Sequence, residues 1–255
     1  MKVCVLASGS SGNCTFIEVG GIKFLVDAGI SAKRIVEGLR SIGERIEDIE
    51  GILLTHEHRD HVAGIERLTL KYKLRLYSNR ATMRCLPIVL RSGQWIELTH
   101  KPLVIEEIEI QPFSVNHDAI DPVGFRVSNS HNSVGVVTDI GSLTKLVQER
   151  LEGVTALVIE ANYDHNMLMN GPYPWDLKQR IASRLGHLSN IECGEFLANH
   201  THPGLKLVFL AHRSEKNNDP QLSLDTVQQK IGEAGTTAPP IQLTHQHKIA
   251  EPWND

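Results

Sequence analysis

No stretch of the chain approaches the roughly 18 consecutive apolar residues that a membrane-spanning helix needs, so no membrane partner is expected. The opening run Met1–Ala7 is too brief for a secretory signal and reads as a strand. Positive charge is not in excess: 26 Lys and Arg stand against 30 Asp and Glu, for a net charge of −4. A large basic surface is thereby excluded, and any attraction for nucleic acid has to be local. Cysteine is scarce, with Cys4, Cys14, Cys85 and Cys193 scattered at no paired spacing. That pattern speaks against thiolate zinc and against a disulfide scaffold, and predicts a reduced, cytoplasmic chain. Linkers, low-complexity segments and tandem repeats are missing too. With 255 residues, 41% of them hydrophobic and 22% charged, one globular domain over residues 1–255 is expected.

What is present is concentrated in Ile52-Leu-Leu-Thr-His56-Glu-His58-Arg-Asp60-His61. An apolar run of strand length ends in four candidate metal ligands within six residues. Residues two apart on an extended backbone share a face, so His56 and His58 suit one ion. Asp60 and His61 fall where the backbone turns into a helix beginning near Val62, and suit a second. Imidazole with carboxylate is a ligand set for zinc, manganese or iron.

The remaining chain reads as strands, first in pairs and then alternating with helices, and this order of events occurs twice. Strands are expected over Lys2–Ala7, Cys14–Val19, Ile22–Val26, Asp48–Thr55, Arg75–Ser78, Val104–Val115, Val123–Val127, Ser133–Val137, Val154–Ile159, Leu205–Leu210 and Ile241–Leu243. Helices are expected over Ser31–Ile42, Val62–Lys71, Asn79–Cys85, Leu143–Leu151, Trp175–Arg184, Ser189–His200 and Leu222–Ala234, with a capping box at Ser189 and Glu192. Asn162–Pro174 reads as an irregular surface segment. The pattern predicts an α/β chain (α+β in some schemes) with two mixed sheets packed face to face and helices outside. Several strands end in chemistry-bearing residues: Thr55-His56, Asn116-His117, Thr138-Asp139, Glu160 and Ala211-His212. Asp27, after the third strand, either orients the metal loop or is only a turn residue. The loop Ser8-Gly-Ser-Ser-Gly-Asn13 is either an anion-binding loop or a plain hairpin connection.

This arrangement resembles the metallo-β-lactamase fold superfamily, in Val26-Asp-Ala-Gly29, Thr55–His61, His117, Thr138-Asp139 and His212. The likeness implies a four-layer αββα sandwich. It also implies that His56, His58 and His117 hold one metal, that Asp60, His61 and His212 hold another, and that Asp139 bridges both. A narrower likeness is to the YycJ-like subgroup of nuclease type, through Leu6–Cys14, Gly186–Asn190 and Leu210–Asn218; Arg213 stands where the subgroup often has Leu. The chain lacks the clamp insert of the enzymes that trim transfer RNA.

Two divalent ions, Zn²⁺ foremost with Mn²⁺ or Fe²⁺ as alternatives, lower the pKa of bound water towards about 7 and clamp an in-line displacement. Allowing for Asp60, Asp139 and a bridging hydroxide, the pocket keeps about one positive charge, which suits a phosphodiester. Together with this charge, the nuclease-type likeness implies hydrolysis of single-stranded DNA or RNA by a metal-activated hydroxide, as in a DNA-repair or RNA-processing exonuclease. Candidate catalytic residues are Asp60, Glu160 and His187, with His187 as proton donor and Glu160 orienting it. Candidate substrate-binding residues are Ser8, Ser10, Ser11, Asn13, Arg213 and Asn217; Arg59 and Lys216 sit beside ligands as well. Two other readings remain: hydrolysis of a small cyclic phosphodiester, lactone or thioester, and a non-catalytic metal-binding interaction protein. The oligomeric state is left open, a homodimer included.

Overall fold

The structure, a computed structural model, describes residues 1–91 and 94–255. Strands β1 (Lys2–Ala7), β2 (Cys14–Val19) and β3 (Ile22–Val26) pair antiparallel in chain order. Helix α1 (Ala32–Ser41) crosses to β4 (Gly51–Leu53), parallel to β3. Helices α2 (Arg59–Val62) and α3 (Ile65–Tyr72) lead to β5 (Arg75–Ser78). Helices α4 (Arg80–Cys85) and α5 (Ile88–Arg91) precede β6 (Trp95–Glu97), and these strands are parallel again.

The same plan then repeats. Strands β7 (Leu103–Ile105), β8 (Ile108–Ser114), β9 (Val123–Ser128) and β10 (Ser133–Val137) form an antiparallel meander. Helix α6 (Lys145–Leu151) precedes β11 (Ala156–Glu160), and α7 (His165–Asn170), α8 (Trp175–Ile181) and α9 (Asn190–His200) precede β12 (Leu207–Ala211). Helix α10 (Pro220–Glu233) precedes β13 (Ile241–Leu243), and strands β10 to β13 are parallel. A final strand β14 (Trp253–Asn254) returns to pair with β1. The sheet orders are β14-β1-β2-β3-β4-β5-β6 and β13-β12-β11-β10-β9-β8-β7.

The sheets meet face to face because each strand alternates two apolar rows. Val3, Ile17, Phe24, Leu53 and Tyr77 of one sheet pack on Ile110, Phe125, Val136, Val158 and Phe209 of the other. The outward rows are covered by helices: Ile35 and Leu39 of α1 with Leu68 of α3 on one side, Val147, Leu197 and Val227 of α6, α9 and α10 on the other. Each fully buried Leu or Phe contributes about 1.5–3 kcal/mol. The result is the expected αββα sandwich.

Several boundaries differ from the sequence reading. Of Asp48–Thr55 only Gly51–Leu53 is strand, because a 3₁₀ turn occupies Ile46–Asp48. The expected Val62–Lys71 helix is two helices, broken at Gly64, whose N–H donates to Ala28 O at 2.7 Å. The broken alternation of Val104–Val115 is a hairpin, β7 and β8, turning at Glu106 with φ of +53°. Asn162–Pro174 contains helix α7, started by Met167 N–H donating to the Asp164 side chain at 2.8 Å. Strands β6 and β14 and helix α5 are too short to carry a period and were not anticipated.

The loop after β3 lies directly against the metal loop. A Cβ on Gly29 would stand 1.6 Å from the carbonyl oxygen of Asp60. Gly29→Ala should cost about 1–3 kcal/mol in urea unfolding, as overpacking does, and should lower bound divalent metal in the folded protein. A variant as stable and as metal-loaded as the parent would show that the two loops need not touch.

Candidate metal centre

Three strands end at the site in a conformation that non-glycine residues avoid. Asp27 after β3, Asp139 after β10 and His212 after β12 have φ of +60°, +55° and +51°. Only Lys73 and Glu106 share that region among the described non-glycine residues. Left-handed backbone at such positions costs on the order of 1–3 kcal/mol each and persists only where surrounding bonds hold it. Here Asp27 N–H donates to Leu53 O at 2.9 Å, and His212 N–H donates to Ser8 Oγ at 2.7 Å.

The turns bring distant residues together in three groups, one of which joins Asp139, Glu160, His187 and His212. His56, His58 and His117 offer nitrogens within 4.8 Å of one another, and so do the donor atoms of Asp60, His61, Asp139 and His212. Asp139 reaches both of these groups: its Oδ2 is 3.0 Å from His61 Nε2, and its Oδ1 is 3.6 Å from both His117 Nε2 and His212 Nε2.

The partners of Nδ1 settle which nitrogen of each ring faces inward. His61 Nδ1 donates to Asp27 Oδ2 at 2.7 Å, His212 Nδ1 to Glu160 Oε1 at 2.7 Å, and His117 Nδ1 to Gly186 O at 3.1 Å. Thr55 Oγ1 spends its proton on Asp27, so it accepts from His56 Nδ1 at 2.9 Å. Each of these Nε2 atoms then presents a lone pair to the centre. His56 Nε2, His212 Nε2 and Asp139 Oδ2 are buried with no hydrogen-bond partner. Although His61 Nε2 and Asp139 Oδ2 stand 3.0 Å apart, both are acceptors in that arrangement and their geometry makes no hydrogen bond. Buried lone pairs facing one another are costly unless a cation lies between them. The donor set therefore fits a divalent metal, as imidazole and carboxylate do for zinc, manganese or iron.

The protonation pattern carries the same demand for positive charge. Burial, reinforced by the charge of His61, pushes His56 well below the usual histidine range. Burial works against ionisation of Asp139 too, yet His212 and His61 hold it well below the carboxylate range. His212 is raised to about 10, since Asp139, Asp60 and Glu160 outweigh its burial. Protonated imidazoles or a bound cation both answer these carboxylates.

Glu160, fully buried at the end of β11, ties the second half of the site together. Its Oε1 accepts from His187 Nδ1 at 2.9 Å and from His212 Nδ1 at 2.7 Å. Its Oε2 accepts from the backbone of Ile140 at 2.9 Å and of Leu188 at 3.1 Å, the neighbours of Asp139 and His187. The pairing of Glu160 with His187 was expected; its hold on His212 and Ile140 was not. Parallel neighbours β10 and β12 flank β11, so strand order was the missing signal. Asp27, left open by the sequence, anchors the metal loop through Thr55 N at 2.9 Å and His61. Thr55 and Asn162 were overlooked, and Asn162 Nδ2 donates to His212 O at 2.6 Å.

The expected substrate-binding residues need correction. Ser8 is buried and occupied by His212 N–H. Asn13 is buried too: its Oδ1 accepts from Gly9 N–H, and its Nδ2 lies 3.1 Å from His61 Nε2 and 3.4 Å from Asp60 Oδ2. Asn217, 1% exposed, donates to Ser214 Oγ, and Arg213 donates to Thr244 O. All four side chains bond within the protein and brace loops of the site. The amides of Ser8, Gly9, Ser11, Gly12 and Asn13 are all taken within the protein, so they are not free for an anion. Ser10 and Ser11 are exposed at the loop tip.

A sequence profile of the beta-lactamase superfamily domain matches residues 23–212. Exodeoxyribonuclease WalJ of Streptococcus pneumoniae serotype 2 (strain D39) is 37% identical over 239 residues, 91% of this chain and 89% of its own. Exodeoxyribonuclease YycJ of Bacillus anthracis is 34% identical over 235 residues, again 91% of this chain and 89% of its own. Among solved structures, the metallo-β-lactamase fold protein YhfI of Bacillus subtilis has a TM-score of 0.73 over 97% of this chain and 98% of its own; at 17% identity this is a likeness of fold.

Because Asp27 sets the orientation of both Thr55 and His61, Asp27→Ala should weaken divalent-metal affinity about 10–100-fold in equilibrium dialysis with metal analysis, the usual cost of losing such a partner. Unchanged affinity would mean that the loop keeps its shape without the carboxylate. In fold, in its clustered histidines and aspartates, and in the extent of these matches, the chain belongs to the beta-lactamase superfamily, in the YycJ-like group that includes the two exodeoxyribonucleases.

Proposed function

We propose that residues 1–255 act as one hydrolase domain, a dinuclear metal-dependent phosphodiesterase that cleaves single-stranded nucleic acid in the cytoplasm. The observation that carries this reading is the placement of Asp139 between two donor groups. His56, His58 and His117 would hold one ion, and Asp60, His61 and His212 the other, with Asp139 shared. Zn²⁺ suits the imidazole-rich set best, with Mn²⁺ or Fe²⁺ as alternatives. Such a pair supplies a water nucleophile at neutral pH and charge neutralisation on a phosphodiester. The two relatives named exodeoxyribonucleases, each matched over nine-tenths of this chain, favour DNA as the substrate.

The protein's own contribution to the chemistry centres on His187. Its Nδ1 is committed to Glu160, leaving Nε2 free, and its side chain is 21% exposed beside the cluster. Its ring lies 5.2 Å from those of both His117 and His212. Burial lowers its proton affinity, but the Glu160 carboxylate raises it more, so the imidazole holds a proton above the usual range. An imidazolium with a free Nε2–H can hand that proton to the leaving oxygen. Glu160 acts as a positioning residue, since it touches His187 and His212 and is sealed from solvent.

The test is metal analysis of the purified protein beside cleavage of end-labelled single-stranded DNA and RNA. Metal-dependent release of nucleotides, lost on chelation and restored by adding back Zn²⁺ or Mn²⁺, is expected. Turnover of bis(p-nitrophenyl) phosphate with none of either oligonucleotide would replace this reading with that of a small-molecule phosphodiesterase. His187→Ala should retain its metal and slow turnover by about 10²–10⁴; loss of metal from that variant would make His187 a ligand instead.

A further inference from the structure

A second feature adjoins the donor cluster on the side of the first sheet. A cavity of about 490 Å³ is lined by Ser10, Ser11, Ser31, Arg34, Arg59 and Asp60, among others. We propose that this cavity binds a phosphate group of the nucleic-acid substrate adjoining the phosphate that is cleaved. The inference rests on the reading of the chain as a nuclease and adds to it where the strand is gripped.

The charges carry the argument. Arg34 and Arg59 form no ion pair among the described residues; Arg34 Nη2 donates to the carbonyl of Gln246 at 3.0 Å, and Arg59 is exposed without a side-chain partner. The sole acidic residue in the lining is Asp60, whose Oδ2 is turned to the donor cluster, 3.5 Å from His61 Nε2 and 3.7 Å from His212 Nε2. The cavity therefore presents two guanidinium groups to an anion, and a guanidinium matches phosphate oxygens in a fork.

Position and shape agree with the charges. Arg59 lies between His58 and Asp60 in the chain, so its reach is tied to the donor groups within one residue. Asp60 belongs both to the cavity wall and to the cluster, which places the cavity next to the cleaved bond and not at a separate surface. The hydroxyls of Ser10 and Ser11 are exposed at the rim, on a loop pinned by Ser11 N–H to Gln246 Oε1 at 2.8 Å and by Gly12 N–H to Gly9 O at 3.0 Å. Helix α1, ten residues long and capped by Ser31 in the same wall, adds the partial positive charge of its amino end. The occupant is defined by phosphate chemistry, and either an internal phosphodiester or a terminal phosphate presents it.

The test compares the metal-loaded parent with the Arg34→Ala/Arg59→Ala double variant on single-stranded DNA and on bis(p-nitrophenyl) phosphate, which carries one phosphate only. KM for DNA should rise tenfold or more with kcat within threefold, and the loss of kcat/KM on the small ester should be at least tenfold smaller. Binding of labelled DNA, followed by anisotropy across a salt series, should lose about one unit of salt slope per phosphate contact removed. Equal losses on both substrates, or unaltered DNA binding, would overturn the proposal and leave the nuclease reading intact. If the parent cleaves no nucleic acid, that reading fails, and the anisotropy comparison alone still decides whether the cavity holds phosphate. Should the double variant not fold, Ser10→Asp places a carboxylate at an exposed rim position and should weaken DNA binding in the same way; unaltered binding there would count against the proposal. Oligonucleotides ending in 5′-phosphate, 3′-phosphate or hydroxyl then separate the two sources. A variant effect confined to one phosphorylated end identifies that terminal group, and an equal effect with hydroxyl ends identifies an internal phosphodiester.

Discussion

Two buried carboxylates, Asp27 at the end of β3 and Glu160 at the end of β11, hold the site in shape. Each belongs to a different sheet, and each accepts a short bond from an imidazole Nδ1: His61 at 2.7 Å and His212 at 2.7 Å. Both also accept from backbone amides, Thr55 for the first and Ile140 and Leu188 for the second. A hydrogen bond to a charged group contributes about 1.5–3 kcal/mol, and leaving a buried carboxylate unpaired costs more. These bonds fix ring tautomers as well as positions. The cluster of inward lone pairs follows from them, and so does its fit to metal.

The left-handed turns at Asp27, Asp139 and His212 are the local counterpart of that constraint. Strand ends normally run on into relaxed loops. Here three of them are bent so that a side chain belonging to the strand's last turn enters the site. The strain, of order 1–3 kcal/mol at each position, is offset by the same bonds that orient the ligands. Close backbone approach serves the same end. At Gly29 the loop after β3 touches the Asp60 carbonyl, and at Gly141 an added Cβ would lie 2.5 Å from the Arg184 backbone. Within each sheet, neighbouring loops pack this closely only because side chains are missing at those points.

The rim divides into residues that brace and residues that are free to bind. Ser8, Asn13, Arg213 and Asn217 each bond to another part of the protein. Arg34 and Arg59 do not spend their charge on any carboxylate. A residue's nearness in sequence to a ligand is thus a poor guide to its use: Asn217, in the loop that follows His212, is buried, while Arg34, on α1, reaches the cavity beside Asp60.

The residue pattern by itself determined the layers and the donors. Two apolar rows per strand require a cover on both faces, and a cluster of four candidate ligands in six residues has little other use, so the αββα arrangement and the His56–His61 loop were legible. The likeness to a known superfamily then supplied His117, Asp139 and His212, which no local spacing relates. What the tertiary structure alone decided was which atoms are left over. Whether Asn13 faces a substrate or a histidine, whether Glu160 serves one imidazole or two, and whether Arg59 has a counter-ion all depend on strand order and on loops packing across sheets. Those contacts join residues tens to hundreds of positions apart, and a period of two or of 3.6 carries no record of them.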